Sequence, residues 1–159
     1  MRLNAYFYAP RNDPKHNANW RQLDTDEEIE TLIKPLADAG NASKCRFVYA
    51  LHTFMNNAVR FDTEEHYQED LAIVQAKFEQ VIEAGVRQVA ILADDAANVG
   101  ADNYIKFLND MTDWLAEMGK KCPDLKQTLP FCTVEYMYNG HSYYQQFPEN
   151  VQIVMTGGR

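Results

Sequence analysis

Two adjacent aspartates, Asp94 and Asp95, follow directly on the apolar run "VRQVAIL" (86–92) and one alanine. Two neighbouring carboxylates in a partly enclosed site cannot both ionise cheaply, so the proton affinity of one of them rises. A carboxylic acid still protonated near neutral pH can donate to a leaving oxygen while its ionised partner orients or stabilises a positive centre. Cleavage of a glycosidic bond needs that division of labour. Spacing alone leaves two plainer readings open. The pair could be a solvated N-cap for the next helix, or part of a divalent-cation site, since hard cations favour paired carboxylates.

Whatever these residues do depends on the elements that hold them. Strand-like segments recur at 3–9 ("LNAYFYA"), 45–51 ("CRFVYAL"), 86–92, 129–136 ("LPFCTVEY") and 151–155 ("VQIVM"). Helical patterns separate them. The first is capped by Asp24 or Thr25, carries an apolar face of Ile29, Leu32, Ile33, Leu36 and Ala37, and is expected to stop at Gly40-Asn41. A second follows a Thr63 cap, with Leu71, Val74, Phe78, Val81 and Ile82 on one face and Gly85 at its end. A third spans about 102–119, with Tyr104, Phe107, Leu108, Met111, Trp114 and Leu115 inward. A short aromatic helical segment, "HSYYQQF", precedes the last strand.

Strands alternating with helices imply right-handed βαβ units and a parallel sheet. Two architectures fit: a doubly wound sheet, or part of a (β/α)8 barrel. Both place function at the carboxyl ends of the strands. There the chain puts Pro10-Arg11-Asn12-Asp13, His52-Thr53, Asp94-Asp95, Glu135-Tyr136 and Thr156-Gly157-Gly158. Neither GxGxxG nor GxxxxGK[ST] is present, so a pyrophosphate lacks its glycine-rich cradle.

The 159 residues suit one domain, 1–159, of soluble globular composition, 46% hydrophobic and 24% charged. The net charge of −8 repels a phosphate backbone and argues against nucleic acid as a partner. No apolar run is long enough to span a membrane. "MRLNAYFYAP" does not read as a secretory signal. Cys45, Cys122 and Cys132 show neither CxxC pairing nor metal spacing, which points to reduced thiols and a cytoplasmic location, or to a secreted one if the chain belongs to a longer precursor. His52, His66 and His141 have no metal-ligand spacing either, and no cofactor is expected.

The segments "NAYFYAPRNDPKHNANWR" (4–21), "AILADD" (90–95), "LPFCTVEYMY" (129–138) and "VMTGGR" (154–159) stand in an order that resembles glycoside hydrolase family 84. That family comprises the protein O-GlcNAcases and bacterial β-N-acetylglucosaminidases often labelled hyaluronidases. The resemblance covers essentially the whole chain and implies an incomplete (β/α)8 TIM-type barrel of about five parallel strands with interleaved helices. It places the family's catalytic pair on Asp94 and Asp95, implying substrate-assisted, retaining hydrolysis of terminal β-linked N-acetylglucosamine. Asp94 would orient the acetamide, and Asp95 would act as acid and then base. Tyr136 matches an active-site tyrosine, and Cys132 a cysteine near the pocket. Arg11 stands where the family usually has a sugar-binding lysine, and Met155 where its "WTGG" segment has tryptophan. His16 and Trp20 belong to the first motif, where helix packing explains them as well as substrate contact does.

By the same resemblance, the family's first strand would precede Met1 and its later, sugar-gripping strands would follow Arg159. The sheet edges left open would be covered by self-association, by a rearranged helix or by further parts of a longer product. The implied partner is an N-acetylglucosamine-containing glycan or glycoprotein. Two other readings stay beside the enzyme: a non-catalytic carbohydrate-binding or interaction module, and a Mg²⁺-dependent α/β phosphohydrolase.

Overall fold

Short β-branched and aromatic runs bounded by polar loops form five strands in the computed structural model, which describes residues 3–137 and 140–155. They are β1 (Ala5–Tyr8), β2 (Arg46–His52), β3 (Gln88–Leu92), β4 (Leu129–Cys132) and β5 (Val151–Val154). All pair in parallel, and their order in the sheet is their order in the chain. A doubly wound sheet reverses direction at a switch point. Sequential order is instead that of a barrel wall, and the chain forms five strands of an incomplete (β/α)8 barrel.

The two faces of the sheet differ as a barrel wall requires. Phe47, Tyr49 and Leu51 of β2, and Val89 and Ile91 of β3, pack outward into one large core with the helices. The alternate residues Val48, Ala50 and Ala90 form a separate small cluster, with Ala5 and Leu92 at its margin. Among the described residues, no helix residue joins that second cluster. The outermost strands, β1 and β5, each have one edge unpaired among the described residues, and Tyr6 on β1 is 57% exposed.

Three helical stretches cover the outer face: α1 (Asp26–Glu28) continuing into α2 (Lys34–Ser43), then α3 (Glu64–Glu83) and α4 (Ala101–Lys121). Thr25 caps α1 in a reciprocal capping box with Glu28. Between α1 and α2 lies a π-helical turn, Ile29–Ile33. Pro35, in the first turn of α2, has no N–H to return to the carbonyl four residues back, and the wider turn absorbs that defect. The turn also shifts the helical phase, so Leu32 is 40% exposed while Ile33 and Ala37 are buried. The apolar faces of α3 and α4 fall where their spacing predicts, except that Trp114 is only half buried.

Gly40 corrects the expected helix end. The helix runs on to Ser43 and stops at Lys44, whose φ of 61° takes the left-handed cap. Gly40 sits inside α2 because a Cβ there would meet Phe47 Cβ and the Phe47 nitrogen at 2.9 Å. It is a close-approach glycine between helix and strand. Since backbone cannot yield, Gly40→Ala should destabilise the fold by ~1–3 kcal/mol, read as a lower urea midpoint with unchanged slope.

Candidate active site

The carboxyl ends of β1 to β4 converge on one rim, and Asp94-Asp95 lies at its centre. The pair does not cap the next helix, because α4 begins at Ala101 with Gly100 at the N-cap. Asp94 and Asp95 form a tight turn immediately after β3, with Asp95 itself in the left-handed conformation at φ 56°. Aspartate tolerates that region better than most side chains, which is how the chain turns here without glycine. One consequence is that the adjacent carboxylates meet different neighbours.

Asp94 faces inward. His52 Nε2 is 2.6 Å from the Asp94 main-chain carbonyl, which can only accept, so Nε2 carries the proton. The same nitrogen lies 3.6 Å from Asp94 Oδ1. Oδ1 is buried and has no hydrogen-bond partner among the described residues; His52 Nδ1 and Thr53 Oγ1 share that state. Such groups are costly unless something fills them. Burial, reinforced by the Asp94 carboxylate, pushes the Cys132 thiol up to about 12. Cys132 is therefore a protonated neighbour of Asp94.

Asp95 faces outward, its side chain 51% exposed. The Tyr136 hydroxyl donates to its Oδ1 at 2.8 Å, and Arg11 Nη2 approaches its Oδ2 at 3.6 Å. That hydrogen bond, chiefly, raises the Tyr136 phenol and keeps it a donor. Arg11 is 85% exposed, so this ion pair orients more than it stabilises. The tertiary structure thus brings Asp94, Asp95, Arg11 and Tyr136 together.

Two expectations need correction. Glu135 and Tyr136 are not strand residues, since β4 ends at Cys132 and they lie in the turn beyond it. His52 is the last residue of β2 and not a loop residue. Thr156, Gly157 and Gly158 lie outside the described residues.

A cleft of about 460 Å³ opens beside Asp94, lined among others by Pro10, Arg11, His16, His52, Met55 and Leu92. Asp95 borders it through Arg11. Two buried groups from neighbouring elements shape the loop that forms one wall. Lys77 of α3 donates to the carbonyls of Lys15 and Gln22, each at 2.7 Å. His16 places Nδ1 3.0 Å from the Ala50 carbonyl. Trp20 is wholly buried and donates to Asn57 O at 2.7 Å, which is packing. Among the described residues no three His, Cys, Asp or Glu side chains converge as metal ligands, and no helix is long and apolar enough to cross a membrane. Cys45, Cys122 and Cys132 are free thiols.

Burial lowers the His16 imidazole below its ordinary 6.5. The unfolded chain then binds the extra proton first, so this contribution is complete above pH ~6.5 and is lost as pH falls below it. Thermal midpoints measured from pH 7.5 to 5.5 should fall, and the fall should be shallower in His16→Asn.

Sequence reasoning singled out Arg11, Asp94, Asp95 and Tyr136 but assigned no role to His52 or Glu135. His52 lies two registers beyond Ala50 on the inner face of β2, an alternation that could have flagged it.

Comparison with known proteins follows from this geometry. A family model described as beta-N-acetylglucosaminidase matches residues 1–159. The chain is 28% identical over 145 residues to "Protein O-GlcNAcase" of Rattus norvegicus and equally to that of Mus musculus, covering 84% of this chain and 14% of each relative. Among solved structures, CpGH84D superposes with a TM-score of 0.85 at 32% identity, over 97% of this chain and 26% of that one. CpGH84B gives 0.82 at 29% identity, over 97% and 28%. The chain thus spans a minor part of the length of each relative.

Proposed function

The chain belongs to the β-N-acetylglucosaminidase family, and from that premise we propose that it carries the acid–base wall of a substrate-assisted, retaining glycosidase acting on terminal β-linked N-acetylglucosamine. The observation that carries this reading is the buried Asp94 Oδ1, an acceptor without a partner among the described residues, next to an exposed Asp95. An acetamide N–H is the donor that Oδ1 lacks.

In this reading the acetamido carbonyl oxygen attacks the anomeric carbon as the glycosidic C–O bond breaks. Asp94 accepts from the acetamide N–H and stabilises the positive charge that develops on the amide. Asp95 gives its proton to the departing oxygen. The product of that step is a bicyclic oxazolinium ion, its N–H still held by the Asp94 carboxylate, together with the free leaving group. Asp95, now ionised, takes a proton from water, which opens the oxazolinium ring at the anomeric carbon and restores the neutral acetamide with net retention. No enzyme nucleophile is needed, so the two carboxylates need not face each other across the bond as in the common two-carboxylate mechanism. Tyr136 and Arg11 orient Asp95, and Arg11 also lines the cleft beside Asp94.

The test is hydrolysis of 4-nitrophenyl N-acetyl-β-D-glucosaminide by the protein that contains this chain, beside analogues with one to three fluorines on the acetyl group. Fluorine withdraws electrons from the attacking oxygen, so kcat should fall with each one and the released sugar should retain its configuration. A rate indifferent to fluorine, or an inverted product, would refute the mechanism.

A second reading, a carbohydrate-binding module without turnover, draws on Arg11, which stands beside Asp95 where the resemblance leads one to expect a sugar-binding lysine. It predicts N-acetylglucosamine binding that survives Asp95→Asn, with no hydrolysis in either protein.

A further inference from the structure

We propose that Glu135 is a positioning residue that fixes Tyr136 against Asp95; the inference rests on the acid–base role proposed for Asp95. Tyr136 lies beyond the end of β4, so no strand ladder holds its backbone. Its hydroxyl nevertheless meets Asp95 Oδ1 at 2.8 Å. Something else must hold the turn still.

The Glu135 carboxylate, 17% exposed, does this from the adjacent position. Its Oε1 accepts from Asn98 Nδ2 at 3.0 Å, and Asn98 is three residues beyond Asp95. Its Oε2 accepts from the hydroxyls of Tyr143 at 2.8 Å and Tyr144 at 3.1 Å, both from the 3₁₀ segment Ser142–Gln146. Two tethers therefore run side by side between the turn after β3 and the turn after β4, Tyr136 to Asp95 and Glu135 to Asn98. The tyrosines brace the second tether from behind, and the Thr133 hydroxyl, 3.0 Å from the Tyr144 oxygen, donates to it while Tyr144 gives its own proton to Glu135.

A carboxylate suits the hub. Asn98 Oδ1 already accepts from the Gly100 N–H at 2.9 Å, so the Asn98 amide must present its donor to residue 135. Among the described residues three donors converge on the two Glu135 oxygens, with His141 Nε2 3.8 Å from Oε1, which suits an acceptor-only group. A glutamine can keep the Asn98 tether through its amide oxygen but turns N–H bonds on the tyrosine hydroxyls, which must then accept instead of donate. With both oxygens engaged, Glu135 acts through its neighbour, and its effect belongs to orientation. An acid displaced by about 1 Å can lose ~10²-fold in rate.

The test places 3-fluorotyrosine at position 136 of the protein that contains this chain. Asp95→Asn should move the 136 fluorine resonance in the parent and leave it unmoved in Glu135→Ala. In turnover, Glu135→Ala should lower kcat ~10²-fold on a phenyl glycoside with KM little changed, and should spare a dinitrophenyl glycoside, whose leaving group needs no acid. Glu135→Gln should fall between. If Glu135→Ala does not fold, Tyr143→Phe/Tyr144→Phe removes two of the three donors and should give the same pattern, weaker. An undiminished Asp95-dependent shift in the variant overturns the inference whatever the turnover. Loss of that coupling in a parent without turnover supports the positioning role and overturns the proposed function instead.

Discussion

Asp95→Asn should leave a folded protein whose turnover of phenyl N-acetyl-β-D-glucosaminide is reduced by ~10²–10⁴-fold, the usual worth of a positioned general acid. The fold should survive because asparagine is as much at home as aspartate at φ 56°, and because the Asp95 side chain is half exposed. Tyr136 can still donate to the amide oxygen. In the proposed mechanism only the proton source is gone. The loss should shrink as the leaving group becomes more acidic, since a dinitrophenolate departs without help. Asp94→Asn should behave differently: its defect lies in acetamide assistance and should persist for every leaving group. Matching kcat values for wild type and Asp95→Asn on the phenyl substrate would remove Asp95 from the chemistry.

Asp70→Ala should cost the fold ~2–3 kcal/mol, a large share of the stability of a typical domain, because it removes the buried acceptor on which two part-exposed arginines and a backbone N–H converge. Asp70 is on α3 with no exposed surface. It accepts from Arg21 Nε and Nη2 at 2.8 and 2.6 Å, from the Arg60 backbone N–H at 2.9 Å, and from Arg60 Nε and Nη2 at 3.1 and 2.9 Å. Arg21 donates onward to the carbonyls of Asn57 and Ala58, each at 3.0 Å. One carboxylate thus ties the loops that follow β1 and β2 to a helix, and those loops supply Arg11 and Met55 to the cleft. Burial alone would push this carboxyl up, but the hydrogen bonds from Arg21 and Arg60 outweigh it and hold it well below the usual carboxylate range. Its contribution is therefore full above pH ~4 and is lost only as pH falls below that. Urea denaturation at pH 7 should show the deficit in Asp70→Ala. At pH 3 the gap between variant and wild type should narrow. A gap equal at both values would mean that the arginines are not what the carboxylate serves.

Much of this architecture is legible along the chain, for reasons that particular residues make plain. Val74, Phe78, Val81 and Ile82 on α3 recur at helical spacing, and so do Phe107, Leu108, Met111 and Leu115 on α4; all are buried. Thr25 and Thr63 act as N-caps because their hydroxyls accept from backbone N–H groups three residues on. These are local effects, set by the covalent geometry of a few neighbouring residues. Gly40 was misleading for the complementary reason. Glycine ends helices through its own backbone freedom, but it also sits wherever another element comes too close for a Cβ, and Phe47 does so here. Pro35 likewise looks like a helix terminator, yet a π turn lets the helix continue.

The site divides along the same line. Residue types and spacing by themselves determined the parallel α/β class, the rim of strand ends and the candidacy of Asp94-Asp95, and the resemblance of the motifs to glycoside hydrolase family 84 added Arg11 and Tyr136. Only the tertiary structure decided that the strands follow one another around a barrel wall, because strand order is a matter of long-range pairing that no local pattern encodes. It also decided what each carboxylate faces: Asp95 turned outward by a left-handed backbone onto Tyr136, Asp94 turned inward beside His52 with one oxygen left without a partner among the described residues. Two identical neighbours in sequence became chemically unlike because burial and hydrogen bonding come from strands more than forty positions away, β2 at His52 for one and the turn after β4 at Tyr136 for the other.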